Sequence, residues 1–82
     1  MSLESQLFER TKQYLSRQVA FNDLAGWVET HEEDWAVDLQ NRASQLAGMI
    51  MLMAYEVWEG KRPEDDAREP IREVATAAAG VS

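Results

Sequence analysis

The feature that most constrains this chain is a run of ten apolar or small residues, 46–55 (LAGMIMLMAY), within a far more polar sequence. The apolar positions around it advance by threes and fours, as positions on one side of an α-helix do: Trp35, Leu39, Ala43, Leu46, Ile50, Met53 and Val57. Other apolar residues lie off this stripe. A helix that is apolar nearly all round needs cover on several sides, which predicts the central helix of a bundle or part of an oligomer interface. Ten residues rise only about 15 Å, well short of a bilayer core of roughly 30 Å.

The amino-terminal third of the chain predicts two shorter helices. The first begins after Ser2, a good N-cap, and ends near Arg17 or Gln18. The second begins with Ala20 as its N-cap or, because alanine is a poor cap, with Asn22. Its expected buried side consists of Leu24, Trp27 and Val28. We expect Trp27 and Trp35 both to face the core.

Thr30 and Glu33 have the spacing of a capping box, which predicts that a long third helix begins there. We expect this helix to run to Glu59, with Gly60 as its C′ residue. It would contain roughly 28 residues and be about 42 Å long. The neighbouring helices are about half that length, so two of them could pack one after the other along it.

A fourth helix is predicted to begin at Pro63, which suits a first helical position and is followed by three acidic residues. Pro70 conflicts with an unbroken helix and should kink or restart it. The sequence therefore predicts an all-α fold, a four-helix bundle with a long central third helix and a fourth helix kinked near Pro70. Residues 1–82 read as a single domain.

The chain carries 15 acidic and 8 basic side chains, for a formal net charge of −7. This balance argues against direct nucleic-acid binding, which needs a basic face, and against attraction to anionic lipid. No signal peptide is visible, so we expect a cytoplasmic protein. The chain contains no cysteine, which excludes disulfides and thiolate chemistry.

Five carboxylates lie within ten residues, with no basic residue among them: Glu29, Glu32, Glu33, Asp34 and Asp38. One interpretation is a solvated helix start that complements the helix dipole. The other is a binding surface for a basic protein, whose approach the acidic field would accelerate. Nothing around these residues indicates a substrate pocket or a raised pKa, so a catalytic carboxylate pair is not predicted.

The residues that usually carry catalysis or ligate metals are sparse. His31 is the one histidine, and no Glu-x-x-His pair of the di-iron type precedes it. The four glycines are scattered and do not form a phosphate-binding loop. We therefore expect no enzyme activity, no metal site and no cofactor.

Apolar residues off the main stripe of the third helix suggest a second binding surface. They are Met51, Leu52, Tyr55 and Trp58. Three short helices are too few to cover all of them, so this surface would serve a homodimer or another protein partner. The methionines of this region also suit core filling, because thioethers pack into irregular gaps.

Residues 14–28 (YLSRQVAFNDLAGWV), the Glu59-Gly60 helix end and the acidic restart after Pro63 resemble the colicin-D-type bacterial self-protection immunity proteins. That family is small, acidic and four-helical, and its members block a toxic nuclease by covering its basic active surface. The resemblance implies the same role here. The chain departs from the pattern at Arg17, where such sequences often have Gly, and at Ala20, where they often have Ser or Thr.

Overall fold

The computed structural model of the protein describes residues 3–31 and 42–78, and its regular secondary structure there is helical throughout, with no strand in these ranges. This confirms the predicted all-α class. The helices are α1 (Leu3–Leu15), α2 (Phe21–Thr30), α3 (Arg42–Trp58) and α4 (Glu64–Ala78). None of the four is both long and apolar enough to cross a membrane.

Helix α1 buries one side and ends earlier than predicted. Leu7, Thr11 and Tyr14 are buried at helical spacing, and the Thr11 hydroxyl donates a 2.8 Å hydrogen bond to the Leu7 carbonyl. The helix ends at Leu15. Beyond it, Arg17 adopts a left-handed conformation with a φ of 66°. The Arg17 and Gln18 amides donate back to carbonyls of the last helical turn, as in a Schellman motif.

Arg68 of α4 holds this end of α1. Its guanidinium lies 4.8 Å from the centre of the Tyr14 ring. The same side chain donates to the backbone carbonyls of Tyr14 and Leu15, at 3.1 and 3.5 Å. Carbonyls in the last turn of a helix have no intrahelical donor, so a cation from another helix satisfies them. This ties α1 to α4.

Helix α2 begins at the first of the two positions that the sequence predicts. Ala20 is the N-cap, with extended backbone angles and no side-chain capping hydrogen bond, and its carbonyl accepts from the amides of Asp23 and Leu24. The buried residues of α2 are Phe21, Leu24, Ala25 and Val28. Because Ala20 cannot cap with its side chain, burial must supply most of the stability of this helix.

The prediction that Thr30 is the N-cap of the third helix is wrong. Thr30 is the last residue of α2, and its hydroxyl donates a 2.8 Å hydrogen bond to the Gly26 carbonyl one turn earlier. His31 follows as the C-cap. A threonine near a helix end can bond to its own helix as easily as it caps the next one. The other capping-box residue, Glu33, lies outside the described residues, as do Trp35 and Leu39 of the predicted stripe.

The described third helix, α3, has 17 residues and ends at Trp58. Its C-terminus confirms the prediction for Gly60, which has a φ of +78°. The Gly60 amide donates to the Val57 carbonyl at 3.1 Å, and the Lys61 amide donates to the Glu56 carbonyl at 2.8 Å. This is again a Schellman motif, here with the residue that reaches positive φ at least cost.

Helix α4 begins at Glu64, one residue later than predicted, and Pro63 precedes it. The predicted acidic first turn of Glu64, Asp65 and Asp66 is confirmed. The helix is continuous through Pro70 to Ala78, so Pro70 does not restart it.

The core lies around α3, which contacts each of the other three helices and packs most extensively on α4. The predicted stripe is buried at Ala43, Leu46, Ile50 and Met53, and Val57 is half-buried. The other helices contribute their own buried residues, among them Leu7, Tyr14, Phe21, Leu24, Val28, Ala67 and Ile71. Within residues 3–31 and 42–78, α3 thus packs against three helices and keeps one side that these helices do not cover.

Candidate protein-binding surface

The remaining side of α3 carries the three large hydrophobic residues that the described part of the protein leaves exposed. Leu52, Tyr55 and Trp58 are 52%, 47% and 46% exposed. They are spaced three residues apart, so each lies about one turn beyond the last on neighbouring positions of the helix surface. We call them the α3 strip. Exposed apolar residues that occur singly need no explanation, but a contiguous row of them is typical of an interaction surface.

The aromatic residues of the α3 strip are held in place before any partner arrives. The Tyr55 and Trp58 rings meet edge to face, with 6.1 Å between ring centres and 79° between ring planes. The Trp58 Nε1–H donates a 3.0 Å hydrogen bond to Oδ1 of Asn22, at the start of α2. A side chain that is already oriented loses less entropy on binding, which is why rigid aromatic residues so often dominate interfaces.

Met51, predicted to belong to this surface, is half-buried and packs against the core. Met49 packs on the core in the same way, and Met53 is fully part of it. The structure therefore gives these methionines the core-filling role that the sequence left open, and separates Met51 from its neighbour Leu52.

Acidic groups flank the α3 strip. Asp23 follows Asn22 in α2, and Glu59 follows Trp58; both are exposed. Glu59 forms a 3.0 Å ion pair with Lys61, but both side chains are more than half exposed, so solvent screens the pair. Glu56 is half-buried, and one of its carboxylate oxygens lies 3.4 Å from the Arg62 guanidinium.

Of the predicted acidic cluster, the structure places Glu29, which is exposed near the end of α2. It lies seven residues after Asn22, so the two share a side of α2. Glu32, Glu33, Asp34 and Asp38 lie outside the described residues. Between Asn22 and Glu29 comes Gly26, where an added Cβ atom would have no neighbour within 4 Å, so the α2 surface there is open.

Asn22 is the residue of this surface that the sequence reasoning missed. It is a polar residue in the first turn of α2, and its role depends on a contact with a residue 36 positions later. The available signal was its seven-residue spacing from Glu29, which placed both on one helix side but did not indicate that Trp58 would meet them.

His31 and Arg10 both contact Trp27. The His31 ring lies 4.8 Å from the Trp27 ring, and the Arg10 guanidinium lies 4.8 Å from the centre of the same indole. Trp27 packs against the core as predicted, but it is only partly buried. Within residues 3–31 and 42–78, no group of three potential ligands could hold a metal ion.

Comparison of the chain with protein-family models, with curated proteins and with solved structures gives no significant match. The resemblance to colicin-D-type immunity proteins thus stays a prediction that rests on the sequence pattern alone.

Proposed function

We propose that the protein is a non-enzymatic binding module that takes a basic protein partner on the α3 strip. The observation that carries this proposal is the row of Leu52, Tyr55 and Trp58, each about half exposed on one side of a helix whose other sides are packed. Burying such residues against a partner would remove their apolar surface from water, and this stabilises a complex by about 25 cal/mol per Å². The strip would form the apolar centre of the interface.

The charge of the chain supports a basic partner. The net charge is −7, and Glu59 follows Trp58 of the strip in the sequence. Asp23 follows Asn22, which Trp58 contacts. Glu29 is exposed on the same side of α2 as Asn22. Complementary charge at the rim of an interface mainly accelerates association and excludes wrong partners, while the apolar centre sets the lifetime of the complex. Association should therefore slow as salt screens the rim.

The proposal is consistent with the role that the family resemblance implies. An acidic helical protein that covers the basic active surface of a nuclease presents carboxylates where the nucleic-acid phosphates would lie. In this proposal the acidic cluster supplies that charge, and the α3 strip supplies the apolar anchor. The cluster consists of Glu29, Glu32, Glu33, Asp34 and Asp38.

The arrangement of helices that we propose is a four-helix bundle with α3 at its centre and α4 bent at Pro70. Contacts of α3 with all three other helices support the central position. A proline inside a helix has no amide to donate to the carbonyl four residues earlier, here that of Asp66, and its ring crowds that carbonyl. A bend in α4 would let it follow the surface of α3.

A second candidate function is a homodimer formed through the same strip. The exposed apolar row favours it, because two copies could bury their strips against each other. The net charge of −7 on each copy opposes it, since two such copies repel one another. Light scattering separates the two candidates: a monomer at micromolar concentration excludes the dimer.

Site-specific photo-crosslinking in the cells that naturally make the protein tests the proposal. A photoreactive phenylalanine analogue replaces Tyr55 in one variant and Glu73, an exposed residue of α4, in the control. We expect one basic protein to be crosslinked from position 55 and not from position 73. Crosslinking of a second copy of the chain from position 55 would establish the dimer instead. Equal crosslinking from both positions would contradict both functions.

Charge reversal then tests the acidic rim of the interface, with the purified partner that the crosslinking identifies. Glu29→Lys should slow association at low salt, and Glu73→Lys, the same charge change on α4, should slow it less. Equal association rates for the two variants would show that the net charge matters but that the position of Glu29 does not.

A further inference from the structure

A second surface feature lies away from the α3 strip, where α1 and α4 meet. It is an open groove of about 450 Å³ whose apolar lining includes Phe8, Leu15 and Ala75. Phe8, Leu15 and Ala75 are partly buried and pack against the core. The volume lies within the range of small-molecule sites, which is about 300–1,000 Å³.

The charge of this groove is opposite to that of the protein as a whole. Its charged lining residues are Lys12 from α1 and Arg72 from α4. The Lys12 side chain is exposed. The Arg72 guanidinium lies 3.5 Å from the carboxylate of Glu69 on its own helix. Both side chains are more than half exposed, so this ion pair is weak. Thr76 also lines the groove. Two cations from two helices beside an apolar lining are complementary to a ligand with one anionic end and one apolar body.

We infer that this groove binds a small amphipathic carboxylate of the fatty-acid type. The alkyl chain would lie on Phe8, Leu15 and Ala75, and the carboxylate would bind Lys12 and Arg72. Charge-assisted hydrogen bonds from guanidinium and ammonium groups are among the stronger contacts available to a carboxylate. The small side chain of Ala75 leaves room for the chain between the two helices. The site is separate from the α3 strip and does not depend on the proposed function.

Isothermal titration with n-octanoate as the probe, below its micelle concentration, tests this inference on the full chain. We expect saturable binding to one site. Lys12→Gln and Arg72→Gln should each weaken binding by about tenfold, since each removes a charge-assisted contact. Both positions are exposed, so neither variant should impair folding. Lys61→Gln is the matched control, because it removes an exposed cation elsewhere, and it should leave octanoate affinity unchanged.

Two further measurements identify the occupant. Ala75→Leu should abolish octanoate binding by filling the groove, and 1-octanol should bind at least tenfold more weakly than octanoate. The inference is overturned if binding does not saturate, if octanol binds equally well, or if Lys61→Gln weakens binding as much as Lys12→Gln. It is equally overturned if octanoate does not bind. Binding of an acidic amphipathic peptide or of a second copy of the chain, blocked by Ala75→Leu, would then identify that occupant instead.

Discussion

The two sides of α3 carry side chains of similar polarity and meet different surroundings. On the inner side, Leu46 and Ile50 are fully buried against the other helices. On the outer side, Leu52, Tyr55 and Trp58 are about half exposed, and of these Trp58 is hydrogen-bonded to α2. The same helix thus uses apolar residues for two purposes. The inner side stabilises the fold, and in our proposal the outer side stabilises a complex.

The largest expected effect is on the inner side. Ile50→Ala should lower the free energy of unfolding by about 2–5 kcal/mol, because Ile50 is fully buried and the lost methyl groups leave a cavity. Chemical denaturation followed by circular dichroism measures this. Leu52→Ala on the outer side is the matched control and should cost less than about 1 kcal/mol. If both substitutions cost the same, the distinction between the two sides fails.

The next effect is on binding and belongs to the outer side. Trp58→Ala should weaken the affinity for the purified partner by tenfold or more, which corresponds to about 1.4 kcal/mol. The reason is that exposed, preorganised aromatic residues are frequent interface hot spots. Calorimetry below the unfolding transition measures the change. Trp27→Ala removes the same side chain from the α1–α2 region and should change affinity by less than threefold. An unchanged affinity for Trp58→Ala would remove this residue from the interface.

A substitution that stabilises the fold should not change the affinity of the outer side of α3 for a partner. Arg17 and Gly60 both occupy the positive-φ position after a helix, but only glycine does so without cost. Arg17→Gly should therefore raise the free energy of unfolding by about 1 kcal/mol, since a left-handed residue with a Cβ costs roughly that amount. Denaturant midpoints check the gain, with Gln18→Gly as the control. Partner affinity should stay the same, and a gain in affinity would show that the two properties are coupled.

The smallest expected effect separates a buried tyrosine from an exposed one. The Tyr14 hydroxyl is buried and has no hydrogen-bond partner among the described residues, whereas Tyr55 is half exposed. Tyr14→Phe should change stability at neutral pH by less than about 1 kcal/mol, or raise it, because no hydrogen bond is lost. Thermal unfolding measures the change, and Tyr55→Phe controls for the removal of a phenol. A loss of several kcal/mol would mean that the hydroxyl is paired.

The stability of Tyr14→Phe should also depend on pH differently from that of the wild type. Burial raises the pKa of Tyr14 above its usual value near 10, and the Arg68 guanidinium opposes this in part. The folded protein then holds the phenolic proton more tightly than the unfolded chain does. This contribution to stability is complete below about pH 10 and is lost as the pH rises through the higher folded pKa. Tyr14→Phe should lose less stability above pH 10 than the wild type.

Local signals in the sequence predicted the helix ends that depend on a single residue. Gly60 after an apolar run was placed correctly, and Ala20 was one of the two positions predicted for the start of α2, because capping involves only neighbouring residues. Thr30 was misplaced for the same reason: its hydroxyl has two local partners, and the sequence does not show which one it takes. Arg17 was assigned near a helix end, but its positive φ was not predicted, because a residue with a Cβ atom gives no signal of a left-handed conformation.

The candidate surface was predictable only in part. The sequence placed Leu52, Tyr55 and Trp58 off the buried stripe, because a helix with a fixed period shows which residues its neighbours leave uncovered. It grouped Met51 with them, and the structure turns that side chain toward the core. The Asn22 contact was out of reach, because it joins residues 36 positions apart and depends on how α2 packs against α3.

Hydroxyl-radical footprinting tests most directly whether the outer side of α3 is the binding surface. The protein is oxidised alone and in complex with the purified partner. The rate of side-chain oxidation reports solvent access at Tyr55, Trp58 and Trp27 in the same sample. We predict that complex formation lowers oxidation of Tyr55 and Trp58 severalfold and leaves Trp27 unchanged. Unchanged oxidation of Tyr55 and Trp58 in a saturated complex would contradict the assignment of the outer side of α3 as the binding surface.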